Sequence, residues 1–173
     1  LEKKIENNPR LPKWNGELYL EYHRGTYTSM AKNKRNNRKS EFLYMNAELL
    51  ASMEKVLMGK VFPKAALRDG WETILVNQFH DIIPGSSIEE VYVQSDIDYA
   101  EVKKIGDKIV TEAQNGIAAK IAADKGYVVF NPNGFTGNGI VNVGGKSVYV
   151  KNIAPKGYTA VSDFKDTNTI AID

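Results

Sequence analysis

The chain has no cysteine and only two histidines, and nowhere does it carry an apolar run near the length of a membrane span. Each absence closes off a class of chemistry. Without thiols there is no disulfide framework, thiolate metal site or cysteine nucleophile, so any metal must be held by His, Asp or Glu. The same lack fits a reducing compartment, and the cytoplasm is the expected location. A membrane helix needs roughly 18 or more consecutive apolar residues. The first residues, Leu1-Glu2-Lys3-Lys4-Ile5-Glu6, also lack the apolar core of a secretion signal. There is no initiator methionine, so an excised piece of a longer chain is expected. Charge of one sign is scarce too: 23 Lys and Arg stand against 21 Asp and Glu, a net charge of +2. That field is too weak to select nucleic acid or an anionic membrane as partner.

What is present suffices for a folded core. The 173 residues are 42% hydrophobic and 25% charged, a length that suits one domain plus part of another. Pro9, Pro12 and Gly16 mark an entering loop, assigned to residues 1–13. Glu17 to Tyr27 is ambiguous in period. Lys32, Lys34, Arg35, Arg38 and Lys39 form a cationic run that reads as a solvated loop, since the whole chain is nearly charge-balanced. A helix is predicted from Ser40-Glu41, with Phe42, Met45, Leu49, Met53, Val56 and Leu57 on its apolar face and Gly59 as C-cap. A second follows Pro63, with Leu67, Trp71, Leu75 and Phe79 as its stripe, ending near Pro84-Gly85. A third begins at Ser86 or Ser87 as N-cap. Glu89 and Glu90 sit in its first turn, and Val91, Ser95, Tyr99 or Val102, Ile105, Ile109, Ala113, Ile117 and Ile121 carry its apolar face to Lys125-Gly126.

Beyond Gly126 the period becomes strand-like: Tyr127–Phe130, Gly139–Val143, Lys146–Val150 and Tyr158–Val161, with Gly144-Gly145 as a hairpin turn. The fold class is therefore mostly α, a three-helix bundle over residues 14–125 followed by a partial antiparallel β-sheet region over 126–173. So few strands with unpaired edges read as the start of a larger β domain.

One run concentrates chemistry, Asn77-Gln78-Phe79-His80-Asp81-Ile82-Ile83-Pro84-Gly85-Ser86-Ser87. Proline disfavours helical angles in the residue before it, which places His80 and Asp81 on the last turn of the second helix, facing a cleft. A carboxylate there opposes the helix dipole, and a nearby cation would give it a purpose. One histidine and one aspartate do not complete a catalytic zinc site, which takes about three protein ligands and an open position. Ser86-Ser87 has no spare histidine beside it to act as base, which leaves capping as its role.

The run resembles the N-Q-F-H-D-[IVL]-[LI]-P-G-[ST] segment of family-38 glycoside hydrolases, the retaining α-mannosidases. A second stretch, Gly16-Glu17-Leu18-Tyr19-Leu20-Glu21-Tyr22-His23-Arg24-Gly25-Thr26-Tyr27-Thr28, is similar to that family's G-E-L-Y-L-E-x-H-R-G-T-Y-T segment. The likeness spans roughly residues 11 to 161, with Val129-Phe130-Asn131-Pro132 similar to the opening of the family's β domain. It implies that 14–125 is the middle domain, that His80 is a zinc ligand and that Asp81 contacts the sugar in the cleaved subsite. Glu21, His23, Arg24 and Tyr27 are expected on the same cleft as substrate contacts or structural hydrogen bonders. The family's H-x-D ligand pair and nucleophilic aspartate have no counterpart here, so no catalytic residue is expected within the chain and the nucleophile is expected upstream. The implied whole is a zinc-dependent hydrolase of mannose-containing oligosaccharides whose N-terminal catalytic domain belongs to the same chain. It is a possible homo-oligomer, and the fragment alone is expected to be inactive. The competing expectation is a non-catalytic helical interaction module in which His80 and Asp81 merely end a packed helix; nucleic-acid binding ranks third.

Overall fold

The computed structural model describes residues 5, 6, 8–18, 21–121, 126–143 and 145–161. Among the described residues, a 3₁₀ turn at Glu21–His23 is followed by three helices: α1 (Ala31–Met58), α2 (Lys64–Asn77) and α3 (Glu89–Ala118). Four strands follow: β1 (Tyr127–Phe130), β2 (Gly137–Val143), β3 (Lys146–Ile153) and β4 (Tyr158–Val161). β1 pairs antiparallel with β4, and β2 with β3, giving two separate two-stranded sheets. The expected bundle with a partial antiparallel β region is what forms, and Gly59 caps α1 with a left-handed φ of 68°.

Helix boundaries and faces depart from the sequence reading. α1 starts at Ala31, so the cationic run is helical and not a loop. Lys and Arg are good helix formers, and one residue among them turns inward: Asn33 is buried and its Nδ2 donates to Ser95 Oγ at 2.9 Å. The predicted apolar face of α1 is only partly the inward one: Leu49 and Met53 are half-buried, and Met53 packs on the Leu50, Ala113 and Ile117 cluster. Phe42, Met45, Val56 and Leu57 are exposed, whereas Ser40, Tyr44, Ala47, Leu50 and Ala51 are buried. Both sets recur at helical spacing, and the helices close on the side whose small residues allow it.

Tyr44 marks the tightest point. Its ring is fully buried, meets Trp71 edge-on at 5.6 Å and donates its hydroxyl to Val102 O at 3.0 Å. A methyl group on Gly70 of α2 would stand 1.9 Å from that hydroxyl, and one on Gly106 of α3 would stand 2.7 Å from Leu43. Two glycines thus let α2 and α3 close around α1.

On α2 the stripe Leu67, Trp71, Leu75 drifts out of the core, and its expected last member, Phe79, lies beyond the helix end. Leu67 is buried, but Leu75 and Phe79 are exposed, and Gly70, Ile74 and Asn77 take their place. Steps of four residues advance about 40° around the helix each time, so a strict four-residue series leaves the face it began on. α3 buries Tyr92, Ser95, Tyr99, Val102, Gly106, Ile109, Ala113 and Ile117, close to expectation. It ends at Ala118 and not near Lys125; residues 122–125 lie outside the described residues. Its N-cap is Ile88, without a side-chain hydrogen bond, so neither Ser86 nor Ser87 caps it.

The strands join the bundle through Phe130, which packs on Leu50, Ala113 and Ile117. Asn131 then ties the two sheets together. Its Nδ2 reaches Phe135 O, Ile153 O and Ala154 O at 2.8, 3.0 and 3.2 Å, and its backbone N–H donates to Gly157 O at 2.8 Å.

Candidate functional site

Helix α2 stops at Asn77, so His80 and Asp81 stand in a loop beyond it, not on its last turn. The helix end is fixed from both sides. Asn77 Nδ2 donates to Thr73 O and to Asp98 Oδ2 of α3, both at 3.0 Å. Gln78 Nε2 donates to Asn37 Oδ1 and Glu41 Oε1 of α1 at 2.9 and 3.0 Å. Pro84, lacking an N–H, cannot return a bond to the carbonyl of residue 80, so the chain does not resume a regular helix.

The loop bonds to itself instead. Ile82 and Ile83 donate their N–H groups to Phe79 O at 2.9 and 3.1 Å, and Gly85 donates to Ile82 O at 3.1 Å. The Tyr92 hydroxyl of α3 accepts the Ser87 N–H at 3.0 Å and faces the carbonyls of Asp81 and Ile82 at 3.4 and 3.3 Å. On this frame the side chains of His80 and Asp81 are 76% and 60% exposed, with Nε2 and Oδ2 3.6 Å apart. That separation is outside hydrogen-bond range and leaves lone pairs of both open to an incoming group. The Phe79 ring stands 4.3 Å from the imidazole, tilted 44°, and shields one side of it.

The other sequence-predicted site residues lie on the stretch just before α1. Arg24 Nη2 holds both carboxylate oxygens of Glu21, at 2.6 and 2.5 Å. His23 and Tyr27 are exposed, and so is Tyr22, at 93%. Tyr22 and Tyr27, the described tyrosines of this motif, are therefore displayed and not packed. The segment touches the His80–Asp81 loop through Ser29: a methyl group on Gly85, whose φ is +90°, would stand 2.8 Å from Ser29 Cβ and 2.9 Å from Ser29 O. The structure thus brings together His80 with Asp81, Glu21 with Arg24, and the two segments through Ser29 and Gly85.

Lys34 escaped the sequence reading. Its ammonium donates to Ser29 O at 2.5 Å, Ile83 O at 2.9 Å and Pro84 O at 3.2 Å, and partial burial pushes it below the ordinary lysine value. Within a run of five cations nothing marks this one. The available signal, a lysine in the first turn of a helix where cations are disfavoured, becomes visible only once the helix start is known.

Among the described residues, no group of three or more His, Asp or Glu side chains gathers closely enough to hold a metal ion. His80 and Asp81 offer one imidazole and one carboxylate, which is part of a donor set and not a site. No described helix is long and apolar enough to cross a membrane.

Comparison with known proteins places this geometry. The α-mannosidase middle-domain model matches residues 21–117, more than half of the chain. The chain is 32% identical over 126 residues to human α-mannosidase 2C1, covering 72% of this chain and 12% of that protein. It is 44% identical over 92 residues to a Saccharomyces cerevisiae α-mannosidase, covering 52% of this chain and 8% of that one. An α-mannosidase structure from Enterococcus faecalis V583 superposes with a TM-score of 0.65 at 26% identity, over 69% of this chain and 14% of that one. A glycosyl hydrolase family 38 protein from Enterococcus faecalis gives 0.66 at 25% identity, over 82% and 17%. The chain therefore spans only a small fraction of these relatives, and it belongs to the α-mannosidase middle-domain family, as a stretch of a glycosyl hydrolase family 38 protein.

Proposed function

We propose that this chain supplies one wall of the active site of a cytoplasmic, zinc-dependent retaining α-mannosidase that removes terminal α-linked mannose from oligosaccharides. The observation that carries the reading is the His80–Asp81 pair, open to solvent on a loop held at three helices, in a chain of this family. His80 provides one imidazole donor, and the remaining ligands and the nucleophile come from outside the chain. When bound, zinc would supply a template and Lewis acid for the sugar hydroxyls.

The chain's own residues bind and orient. The Asp81 carboxylate accepts a hydrogen bond from a sugar hydroxyl, a charge-assisted contact that strengthens as positive charge develops on the ring in the oxocarbenium-like transition state. Phe79 limits water on one side of the imidazole. Glu21 is spent on Arg24 and stiffens its segment, while His23 and Tyr27 stand exposed as further sugar contacts.

The test is His80→Ala in the full-length protein. Zinc content and turnover of an aryl α-mannoside should both collapse, and unchanged values of both would overturn the reading. The 173-residue chain alone should show no turnover.

A further inference from the structure

We infer that Lys34 is a positioning residue for the His80–Asp81 loop: its ammonium ties Ser29 to Ile83 and Pro84, and so sets where the loop stands relative to the Glu21–Tyr27 segment. The inference rests on the reading of His80 and Asp81 as site residues.

Three observations converge on it. An ammonium has three N–H donors, and here each meets a backbone carbonyl outside regular structure, one from the first segment and two from the second. Without the ammonium these carbonyls would have to turn to water instead, at the edge of a partly buried junction. Second, the first turn of α1 holds no acidic residue to offset a cation, so a lysine here stands against the helix dipole and against its own partial desolvation. The carbonyls it gathers compensate both. Third, Gly85 lets the two backbones touch at the same junction, where any Cβ would force them apart. Lysine suits the place better than arginine, since three converging carbonyls match a tetrahedral head and not a planar fork.

The experiment uses the full-length protein with Lys34→Met, Lys34→Arg, Gly85→Ala and His80→Ala, and Lys104→Met as an exposed-lysine control. Amide hydrogen exchange, Tm and the split of kcat and KM on an aryl α-mannoside are measured. Lys34→Met should keep the parent Tm and speed exchange at Ile82, Ile83, Gly85 and Ser29. It should also lower kcat/KM roughly 10²-fold, the effect expected of an ångström-scale misplacement, mostly through kcat. Lys34→Arg should recover only part, and the Lys34→Met/Gly85→Ala double variant should lose less than the product of the single losses. Parent exchange and parent kcat in Lys34→Met, with His80→Ala inactive, would overturn the proposal. If His80→Ala is itself silent, the functional reading fails separately, and the exchange rates still decide the latch. If Lys34→Met does not fold, Gly85→Ala carries the same two readouts.

Discussion

Two junctions of this molecule are opposites. At the first, the Tyr44 ring sits fully buried where α1 meets α2 and α3, in a space that Gly70 and Gly106 leave open. At the second, the Lys34 ammonium sits half-buried between two irregular segments and meets only carbonyl oxygens. The first works by close contact and fails if volume changes. The second works by direction and leaves the loop it holds exposed. Stability and presentation of the site are thereby assigned to different places, so damage to one need not damage the other.

The sharpest way to test that division is Tyr44→Ala. Removing a buried aromatic side chain costs about 3–5 kcal/mol, and the loss should appear as a large fall in the denaturant midpoint. If the fall were slight, the core would not depend on this junction.

Alkaline titration probes the same side more gently. Burial pushes the Tyr44 hydroxyl up to about 12, helped by Glu101, and burial with Glu41 and Asp98 does the same to Tyr99. The folded state favours the neutral phenols over an unfolded value near 10. Their contribution is therefore fully present below about pH 10 and is lost as pH rises through about 12, a decline of about 2–3 kcal/mol for each tyrosine. Denaturant midpoints followed together with tyrosinate absorbance would show it; midpoints that stay level while both tyrosines ionise would contradict it.

At the small end, Arg24→Ala breaks a pair whose side chains are 70% and 71% exposed. Such pairs contribute roughly 0–1 kcal/mol. Tm should hardly move, and a large drop would show that the Glu21–Tyr27 segment supports the fold after all.

The same division explains what could be read in advance. The existence of three helices and four strands follows from period and punctuation, which are local. The face of α1 does not, because Phe42 and Met45 look more like core than Ser40 and Ala47; the choice is made by what α2 and α3 can approach. The end of α2 was missed for a similar reason: Asn77 and Gln78 are bound by Asp98, Asn37 and Glu41, partners far away in sequence. His80 and Asp81 stood out as candidates through their motif, and their placement in a loop did not show in the sequence. Lys34 was invisible as a latch, since its acceptors are backbone atoms and carry no residue identity.

Asn131 has a consequence for how the chain is made. Its backbone N–H and side-chain amide find their acceptors at Phe135, Ile153, Ala154 and Gly157. During synthesis, when chains emerge at about 5–20 residues per second and fold in units from the N-terminus, the three helices are complete once Ala118 is out, and Phe130 follows to cover Leu50, Ala113 and Ile117. Asn131 must wait for Gly157. The β2–β3 hairpin can pair as soon as Ile153 is out, whereas β1 waits for β4, and a ribosome paused between Asn131 and Gly157 holds the three helices with β1 still unpaired.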